Sequence, residues 1–564
     1  MRILVLQTTR MGDVLQTSPL IQQIRDKHPD AHITVMVRNM GKGIVQRHPA
    51  VDDVILYDED SFFFDLRARD SNRFLRAYRT TDAMIHRLRE QRFDLVYNVT
   101  HSIASAMLLK LLEIPNVYGA HLSDDWHFVL RGPWTAYFFM SVFSRDYNDL
   151  NLCDITRNFA SDAPPCRKLI FELHDEEQRF VNTLLAEHQV REKDFVACLQ
   201  LGASENNKRW SEERFAALAK LLAGRYNAKI FLIGVKDEAV FGDMFAKHAP
   251  GVAIPLYGKT TVPQLAALLK RTNILVTNDT GTMHIAAAVG CPIALVSVGH
   301  VHYRETGPYG EGHCAIEWRR RTLGRSDYVP GGLEERDQIL PEQVFKAIQL
   351  ALENDVHQPI RQIEETIELN SVDLFMTRFS PDGCLQFYPV IRRPMTERDF
   401  MRIAYRAMWI DHLGEGQPRR GEKESINLMI RHYTGPDLKT VRNWTKEFAR
   451  AFDGLAELSR RGVQTTEKLL DALNKNRNIP KARQLVAELM ALDEEGRVYS
   501  EIHPPCRPLI LLARYERDNL EGSDPVALAQ TTLGIYRACF ARARLTSRKI
   551  ELVHDLWKRQ NETA

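Results

Sequence analysis

The chain has 564 residues, 44% hydrophobic, 26% charged and 9% aromatic, enough to bury two to four cores at roughly 100–200 residues per domain. Lys+Arg (75) and Asp+Glu (73) leave a net charge of +2, which excludes a globally basic nucleic-acid binder and an acidic solvating chain. No apolar run reaches the roughly 18 residues of a membrane span, and Met1-Arg2 leads into ILVLQ and polar TTRMGD without a secretory-type apolar segment, so a cytoplasmic protein is expected.

The first hundred residues alternate short apolar runs with helical stretches: RILVLQ, a helix over Val14–Lys27, and strands at 32–38, 53–57 and 93–99. Strand, helix, strand at this spacing predicts βαβ units and a parallel sheet covered on both faces. A second series begins with FVACLQL (195–201). It continues through a helix from Trp210, KIFLIG (229–234), a helix from Val262, NILVTN (273–278), a helix from Gly281, and IALVSV (293–298). Two doubly wound modules in tandem are expected. Their junction is placed near 165–190, after the Asp-Ala-Pro-Pro punctuation at 162–165.

A helix at Pro341–Asn354 ends this pattern. VDLFMTRF and CLQFYPVI flank Ser380-Pro-Asp-Gly, a β-hairpin signal. From Thr396 the periodicity is helical, with segments at 396–412, 438–460, 465–474, 481–492, 525–543 and 546–559. The eight cysteines, at 153, 166, 198, 291, 314, 384, 506 and 539, form no CxxC pair. Reduced thiols are expected, with Cys198 and Cys291 as small core residues.

Three loops could carry chemistry. Gln7-Thr-Thr-Arg-Met-Gly-Asp13 follows the first strand, where open parallel sheets bind ligands, so Asp13 reads as a general base or as a helix N-cap. Only Gly12 lies in this loop, so the dinucleotide fingerprint GxGxxG is absent. Leu201-Gly-Ala-Ser-Glu-Asn-Asn-Lys-Arg-Trp210 could bring N–H groups, the Ser204 hydroxyl and the Lys208 charge to a phosphate, or be a plain solvated loop. Thr277-Asn-Asp-Thr-Gly-Thr-Met-His284 opens a helix of small residues whose N-terminus suits an anion, although Asp279 could be a cap and His284 a core residue. Two loops in one module and one in the other suggest a cleft with an anionic donor on one wall and a base on the other.

With these residues stands a resemblance. The opening ILVLQTTRMGDVLQTSPLIQQIRDKHPDAHITVMVR, the internal FDLVYNVTHSIASAMLLKLLEIPNVYGAH, the LGASENNKRW loop and TNDTGTMHIAAAVGCPIALVSVGHVHYRETGPYG resemble glycosyltransferase family 9, the ADP-heptose heptosyltransferases of lipopolysaccharide core synthesis. The similarity spans about 1–355, and NDTGTMHIAAAVGCP is its most specific part. The resemblance implies an α/β chain of GT-B type, two Rossmann-like modules facing a cleft. Residues 1–175 would hold the acceptor, 176–355 the nucleotide-sugar donor, and 356–564 would form a hairpin and helical domain without a family counterpart. It also implies inverting transfer with no required metal or other cofactor.

Carried over residue by residue, Asp13 is similar to the family's catalytic base, with Thr9 and Arg10 on the acceptor side. Ser204 and Lys208 match the groups on the donor phosphates, and Asp279, Thr280, Gly281, Thr282 and His284 match the segment that closes on diphosphate and sugar. Glu238 falls where a ribose-binding carboxylate belongs, or is a solvated helix-start residue. Residues 61–92 hold eight Arg against four acids (8 − 4 = +4). Family members use basic residues here for an acidic acceptor, which points to Arg67, Arg69 and Arg73, in a stretch that also reads as a solvated helix. Trp126, Trp134, Phe138, Phe139 and Phe143 read as packed under an insertion at 120–160, where the family pattern fades, rather than facing lipid.

The expected partners are a nucleotide-diphosphate sugar and an anionic glycolipid acceptor, with no nucleic acid. A peripheral contact at the inner face of the inner membrane and self-association through the C-terminal region are further expectations. Two other functions fit the same residues: transfer of heptose to a protein, or a non-catalytic nucleotide-sugar-binding scaffold.

Overall fold

The computed structural model describes residues 1–160, 165–299, 301–319, 337–414, 421–474 and 478–562. Residues 162–164 of the expected junction lie outside the described residues. The chain forms two compact units: Met1–Leu6, Asp60–Asp149 and Pro394–Ala564 in the first, Gln7–Glu59 and Leu150–Arg393 in the second. In chain order the first strands are β1 (Arg2–Leu6), β2 (His32–Val37), β3 (Asp53–Leu56), β4 (Leu95–Asn98), β5 (Asn116–Leu122) and β6 (Phe128–Arg131). The next are β7 (Val196–Gln200), β8 (Lys229–Ile233), β9 (Ile254–Pro255), β10 (Ile274–Thr277), β11 (Ile293–Ser297), β12 (Cys314–Trp318), β13 (Val372–Phe379) and β14 (Leu385–Pro389). The tandem α/β organisation and the mainly helical C-terminal region are those expected from the sequence.

In the first unit β1, β4 and β5 run parallel, with Ile3 opposite Leu95 and Leu95 opposite Asn116, and β6 returns antiparallel to β5. Gly119 has φ +104, and a Cβ there would stand 2.0 Å from the Asn98 carbonyl oxygen, so only glycine lets the strands approach. The Asn98 amide donates to Ser105 Oγ at 3.0 Å and to the Ala120 carbonyl at 2.7 Å.

The helical region belongs to this unit. The segments 438–460 and 465–474 are one helix, Leu438–Asn474, and 525–543 with 546–559 are one helix, Pro525–Glu562. Gly462 does not break the first of these; its bare Cα admits the Tyr536 ring, whose Cδ1 would lie 2.3 Å from a Cβ. The same helical region covers the aromatic insertion. Tyr137 meets Trp409 with ring centroids 5.2 Å apart, and Phe139 meets Tyr515 at 6.0 Å. The Asn519 side chain accepts from Leu130 N at 2.7 Å and donates to the Leu130 carbonyl at 2.9 Å, and Arg131 pairs with Glu521 at 2.8 Å. Trp134 is buried, Phe138 stacks on His101, and Phe139 meets the same ring edge-on. Trp126 and Phe143 depart from the packed expectation at 56% and 57% exposure, one in a turn at φ +66 and the other at the last position of its helix.

In the second unit β2 and β3 pair in parallel, and a larger sheet runs in the order β14-β13-β12-β11-β10-β7-β8-β9. Its middle strands β7, β10 and β11 are buried along their whole length and mainly apolar, as in a sheet covered on both faces, and Cys198 and Cys291 are buried among them. The hairpin β13–β14, grouped by the sequence with the helical tail, instead extends this sheet, β13 lying antiparallel to β12 with Ile316 opposite Leu374. Its turn is anchored by a buried pair. Asp154 bonds Arg157 Nε at 2.9 Å, the Tyr309 hydroxyl at 2.9 Å and Leu385 N at 2.8 Å, while Arg157 donates to the Gly383 carbonyl at 2.8 Å.

Candidate functional site

The site grows from strand ends of the second unit. After Gln7 the chain enters the short helix Met11–Gln16, with Arg10 at the N-cap and Asp13 at the third helical position. Asp13 is therefore not the cap itself; its carboxylate reaches back to accept from Arg10 N at 3.2 Å. The Thr9 hydroxyl donates to Gln7 Oε1 at 2.6 Å, and Arg10 is exposed.

β10 delivers the second element. Its end runs through Thr277-Asn278-Asp279 to Thr280, the N-cap of the helix Gly281–Ala288. The helices of Asp13 and Gly281 meet closely: a Cβ on Gly12 would stand 2.9 Å from His284 Cδ2, and one on Gly281 would stand 2.7 Å from Met11 Cε. Thr282 and His284 are buried, and His284 Nδ1 has no hydrogen-bond partner among the described residues. Burial pushes the His284 imidazole down to about 4, so the ring is neutral at physiological pH. The Asp279 carboxyl is pushed up to about 6, first by burial; Lys208 draws it down, Asp13 drives it up and Arg10 draws it down. Asp13, Asp279, Lys208 and Arg10 thus share one electrostatic neighbourhood.

The loop after β7 supplies Lys208, which ends a single turn over Asn206–Lys208 and pairs with Glu205 at 3.2 Å. Ser204 is exposed on this loop. Two residues hold the loop in place. Gly299, at φ +69, lets Asn207 approach, since a Cβ there would be 2.4 Å from the Asn207 carbonyl oxygen. Asn278, fully buried, accepts from Trp210 N at 3.0 Å and donates to the carbonyls of Leu201 at 3.0 Å and Gly202 at 3.2 Å. The sequence did not single out Asn278; its signal was an amide at a strand end beside a small, polar loop.

Glu238 sits at the ends of β7 and β8. It accepts from Gln200 Nε2 at 3.1 Å and Val235 N at 3.0 Å, and a Cβ on Gly202 would lie 1.7 Å from its Oε1. Beside it the buried Tyr257 hydroxyl has no partner among the described residues, a second residue the sequence did not flag. Arg67, Arg69 and Arg73 belong to the first unit, where Arg67 lies 5.7 Å over the Phe63 ring and Arg73 lies 4.6 Å over Phe64. A carboxylate that can take a proton, a lysine and the N–H groups of an eight-residue helix can together serve displacement of an anionic leaving group.

Residues 81–318 match the family model described as Glycosyltransferase family 9 (heptosyltransferase). The chain carries a glycosyltransferase family 9 domain. Lys208, Glu238 and Asp279 lie inside the matched span of that domain, and Asp13 lies before it. The chain is 26% identical over 310 residues to lipooligosaccharide heptosyltransferase 2 of Haemophilus influenzae, covering 52% of this chain and 82% of that protein. It is 24% identical over 310 residues to lipopolysaccharide heptosyltransferase 3 of Escherichia coli, covering 52% and 83%. Among solved structures, a family 9 glycosyltransferase of Veillonella parvula is 22% identical with a TM-score of 0.49, covering 62% of this chain and 97% of that one. The E. coli ADP-heptose lipopolysaccharide heptosyltransferase II is 20% identical with a TM-score of 0.46, covering 62% and 98%. The helical residues after the family 9 domain have no counterpart in its model.

Proposed function

We propose that the chain is an inverting glycosyltransferase that moves heptose, or a related sugar, from an ADP-heptose-like donor to a lipopolysaccharide core or another cell-envelope glycan. The observation that carries this reading is the close meeting of the Asp13 helix with Asp279 and Gly281, within the field of Lys208. The family 9 match and the heptosyltransferase relatives support it. Residues 1–175 take the acceptor in this reading, and 176–355 the donor.

Asp13 removes the proton of the acceptor hydroxyl as its oxygen attacks the anomeric carbon. The bond from that carbon to the diphosphate oxygen breaks on the opposite face, which inverts the centre. Lys208, the Ser204 hydroxyl and the N–H groups at Thr280, Gly281 and Thr282 take up the charge that develops on the departing nucleoside diphosphate, a stabilisation needing no metal. Asp279 and His284 orient the sugar, Glu238 holds the ribose, and Thr9, Arg10, Arg67, Arg69 and Arg73 hold an acidic acceptor. The reaction belongs at the cytoplasmic face of the membrane that carries the acceptor.

A donor panel of ADP-heptose, UDP-sugars and GDP-sugars, with mass detection on truncated lipopolysaccharide and on protein, tests the reading. ADP-heptose should be consumed with a matching mass gain on the glycan. Asp13→Ala should abolish transfer while donor binding survives; unchanged turnover in that variant removes the base assignment, and a mass gain on protein alone replaces the glycan acceptor.

A further inference from the structure

The helix Ile479–Ile502 in the first unit carries apolar side chains on two faces, and the fold covers one of them. Ala482, Leu485 and Leu489 are its buried residues, packed with Leu469, Ala472, Ala529 and Tyr536 of the two long helices. Polar contacts along the margins of that face fix the rotation of the helix. Tyr499 donates to the Ala451 carbonyl at 2.7 Å, Asp493 accepts from the Tyr536 hydroxyl at 2.7 Å and pairs with Arg517 at 3.1 Å, and Glu495 pairs with Arg461 at 2.7 Å. The opposite face is left to water. Ile479, Val486 and Met490 stand 53%, 45% and 69% exposed; the second and third lie about two and three turns on from the first, so they form one stripe. Val498 and Ile502 continue the exposed apolar run at 40% and 67%. Ala487 and Ala491, also exposed, leave room for close approach. An uncovered apolar stripe of this length marks a contact surface.

Charge is divided along this helix by sign. Residues 479–490 hold Lys481 and Arg483 against Glu488 (2 − 1 = +1), and residues 491–502 hold Arg497 against Asp493, Glu494, Glu495 and Glu501 (1 − 4 = −3). Arg517 and Arg461 neutralise Asp493 and Glu495, which leaves the second half at −1, with Arg497 set against Glu494 and Glu501 (1 − 2 = −1). Arg483 is exposed and pairs with no acid among the described residues. The outward face is therefore apolar along its middle, basic towards Ile479 and acidic towards Ile502.

From this polarity we infer that two copies of the chain pair through this face, their Ile479–Ile502 helices antiparallel. The two-fold axis of such a pair lays the basic half of each helix on the acidic half of the other. With Met490 level with Ala487 of the second copy, Arg483 comes level with its Glu494 and Ile479 with its Val498, and symmetry forms each pairing twice. A parallel pairing would set Arg483 beside Arg483 and Glu494 beside Glu494. A uniformly acidic or basic partner would match one half of the helix and oppose the other, whereas a second copy matches both. One helix pair lies at the small end of specific interfaces, so the dimer should be weak, with a Kd on the order of 10 µM. The inference does not rest on the transferase reading, because it concerns association of the chain whatever reaction it catalyses.

Sedimentation velocity of the full-length chain over a concentration series tests this. The wild type should pass from monomer to dimer as concentration rises. Met490→Glu, which sets a charge in the middle of the stripe, should weaken the dimer on the order of tenfold or more. Arg483→Glu and Glu494→Arg each bring like charges level with one another and should each weaken it about tenfold. The double variant R483E/E494R exchanges the two charges and should return to within about threefold of the wild type. All three positions are exposed, so circular dichroism should be unchanged. The inference is overturned if the folded wild type stays monomeric up to about 200 µM, or if the Met490→Glu chain dimerises as the wild type does. It is equally overturned if the double variant associates no more tightly than the single charge reversals, since the antiparallel pairing of Arg483 with Glu494 would then be absent.

Discussion

Gly12 and His284 touch with no room for a methyl group between them, since a Cβ on Gly12 would stand 2.9 Å from the ring carbon Cδ2. The residue next to Gly12 is Asp13, so this contact sets how far the carboxylate-bearing helix stands from Asp279. Gly12→Ala should cost about 1–3 kcal/mol in stability by overpacking. Its larger effect should be on turnover, a loss on the order of 10²-fold for a displacement near 1 Å. Steady-state kinetics beside calorimetric ADP binding checks this: kcat should fall while nucleotide affinity holds, and an unchanged kcat would show that the helix absorbs the methyl group.

Asp279 makes stability depend on pH in a direction opposite to an ordinary surface carboxylate. Its folded pKa of about 6 lies above the unaltered value of 3.8, so the folded state holds the proton more tightly. The stabilisation is full below the unfolded pKa and is lost as pH rises through the folded one. Between about pH 4 and pH 6 this group should remove about 3 kcal/mol from the unfolding free energy. Urea unfolding of Asp279→Asn and the wild type across that range should show a difference growing with pH in favour of the variant. Asp13→Asn should bring the wild-type transition to lower pH, because the like charge of Asp13 helps to raise it.

Asn278 links Trp210, Leu201 and Gly202 through three hydrogen bonds while remaining fully buried. Asn278→Ala strands two carbonyls and one N–H, at about 1–3 kcal/mol for each group left unpaired. The loop carrying Lys208 should then loosen. ADP affinity measured by titration calorimetry should drop about tenfold or more, and Lys208→Gln in the same background should cost less than it does alone, since the lysine is no longer held in place.

Much of this was readable from residue order. The continuous apolar runs of β7, β8, β10 and β11 announced a covered parallel sheet, and the small residues after Asp279 announced the helix that begins at Gly281. The partners of the hairpin were not readable. β13 alternates no differently whether it pairs with β12 or stands free, and the pairing of Ile316 with Leu374 is a long-range choice made by packing. Asn278 was hidden for the same reason: its type suits a loop, and its importance lies in backbone groups far back in the sequence. The gap between the segments 438–460 and 465–474 closes in the structure, where Gly462 continues the helix and the Tyr536 ring that fills the space above its bare Cα sits on another helix.

The helical region and the aromatic stretch around Trp134–Phe139 are one packed body. Trp409 is 2% exposed and meets Tyr137, and Asn519 pairs twice with Leu130. Trp409→Ala should cost about 3–5 kcal/mol. A chain ended after Arg393 should expose Tyr137 and Phe139 and leave the Leu130 backbone groups unpaired, so it should aggregate or bind a hydrophobic dye strongly. A soluble, dye-silent truncation with full transfer activity would show the region to be dispensable for folding.

The Asp154–Arg157 pair ties the hairpin turn to the rest of the second unit with both side chains out of solvent. Removing one partner leaves a buried charge, and Asp154→Asn should destabilise by about 3–5 kcal/mol. The loss should exceed that of a double variant, Asp154→Asn with Arg157→Leu, in which no charge remains. If the double variant is the weaker of the two, the hydrogen bonds to Leu385 N, the Gly383 carbonyl and the Tyr309 hydroxyl dominate over the charge. Urea unfolding of the wild type and the two variants measures both losses and separates these outcomes.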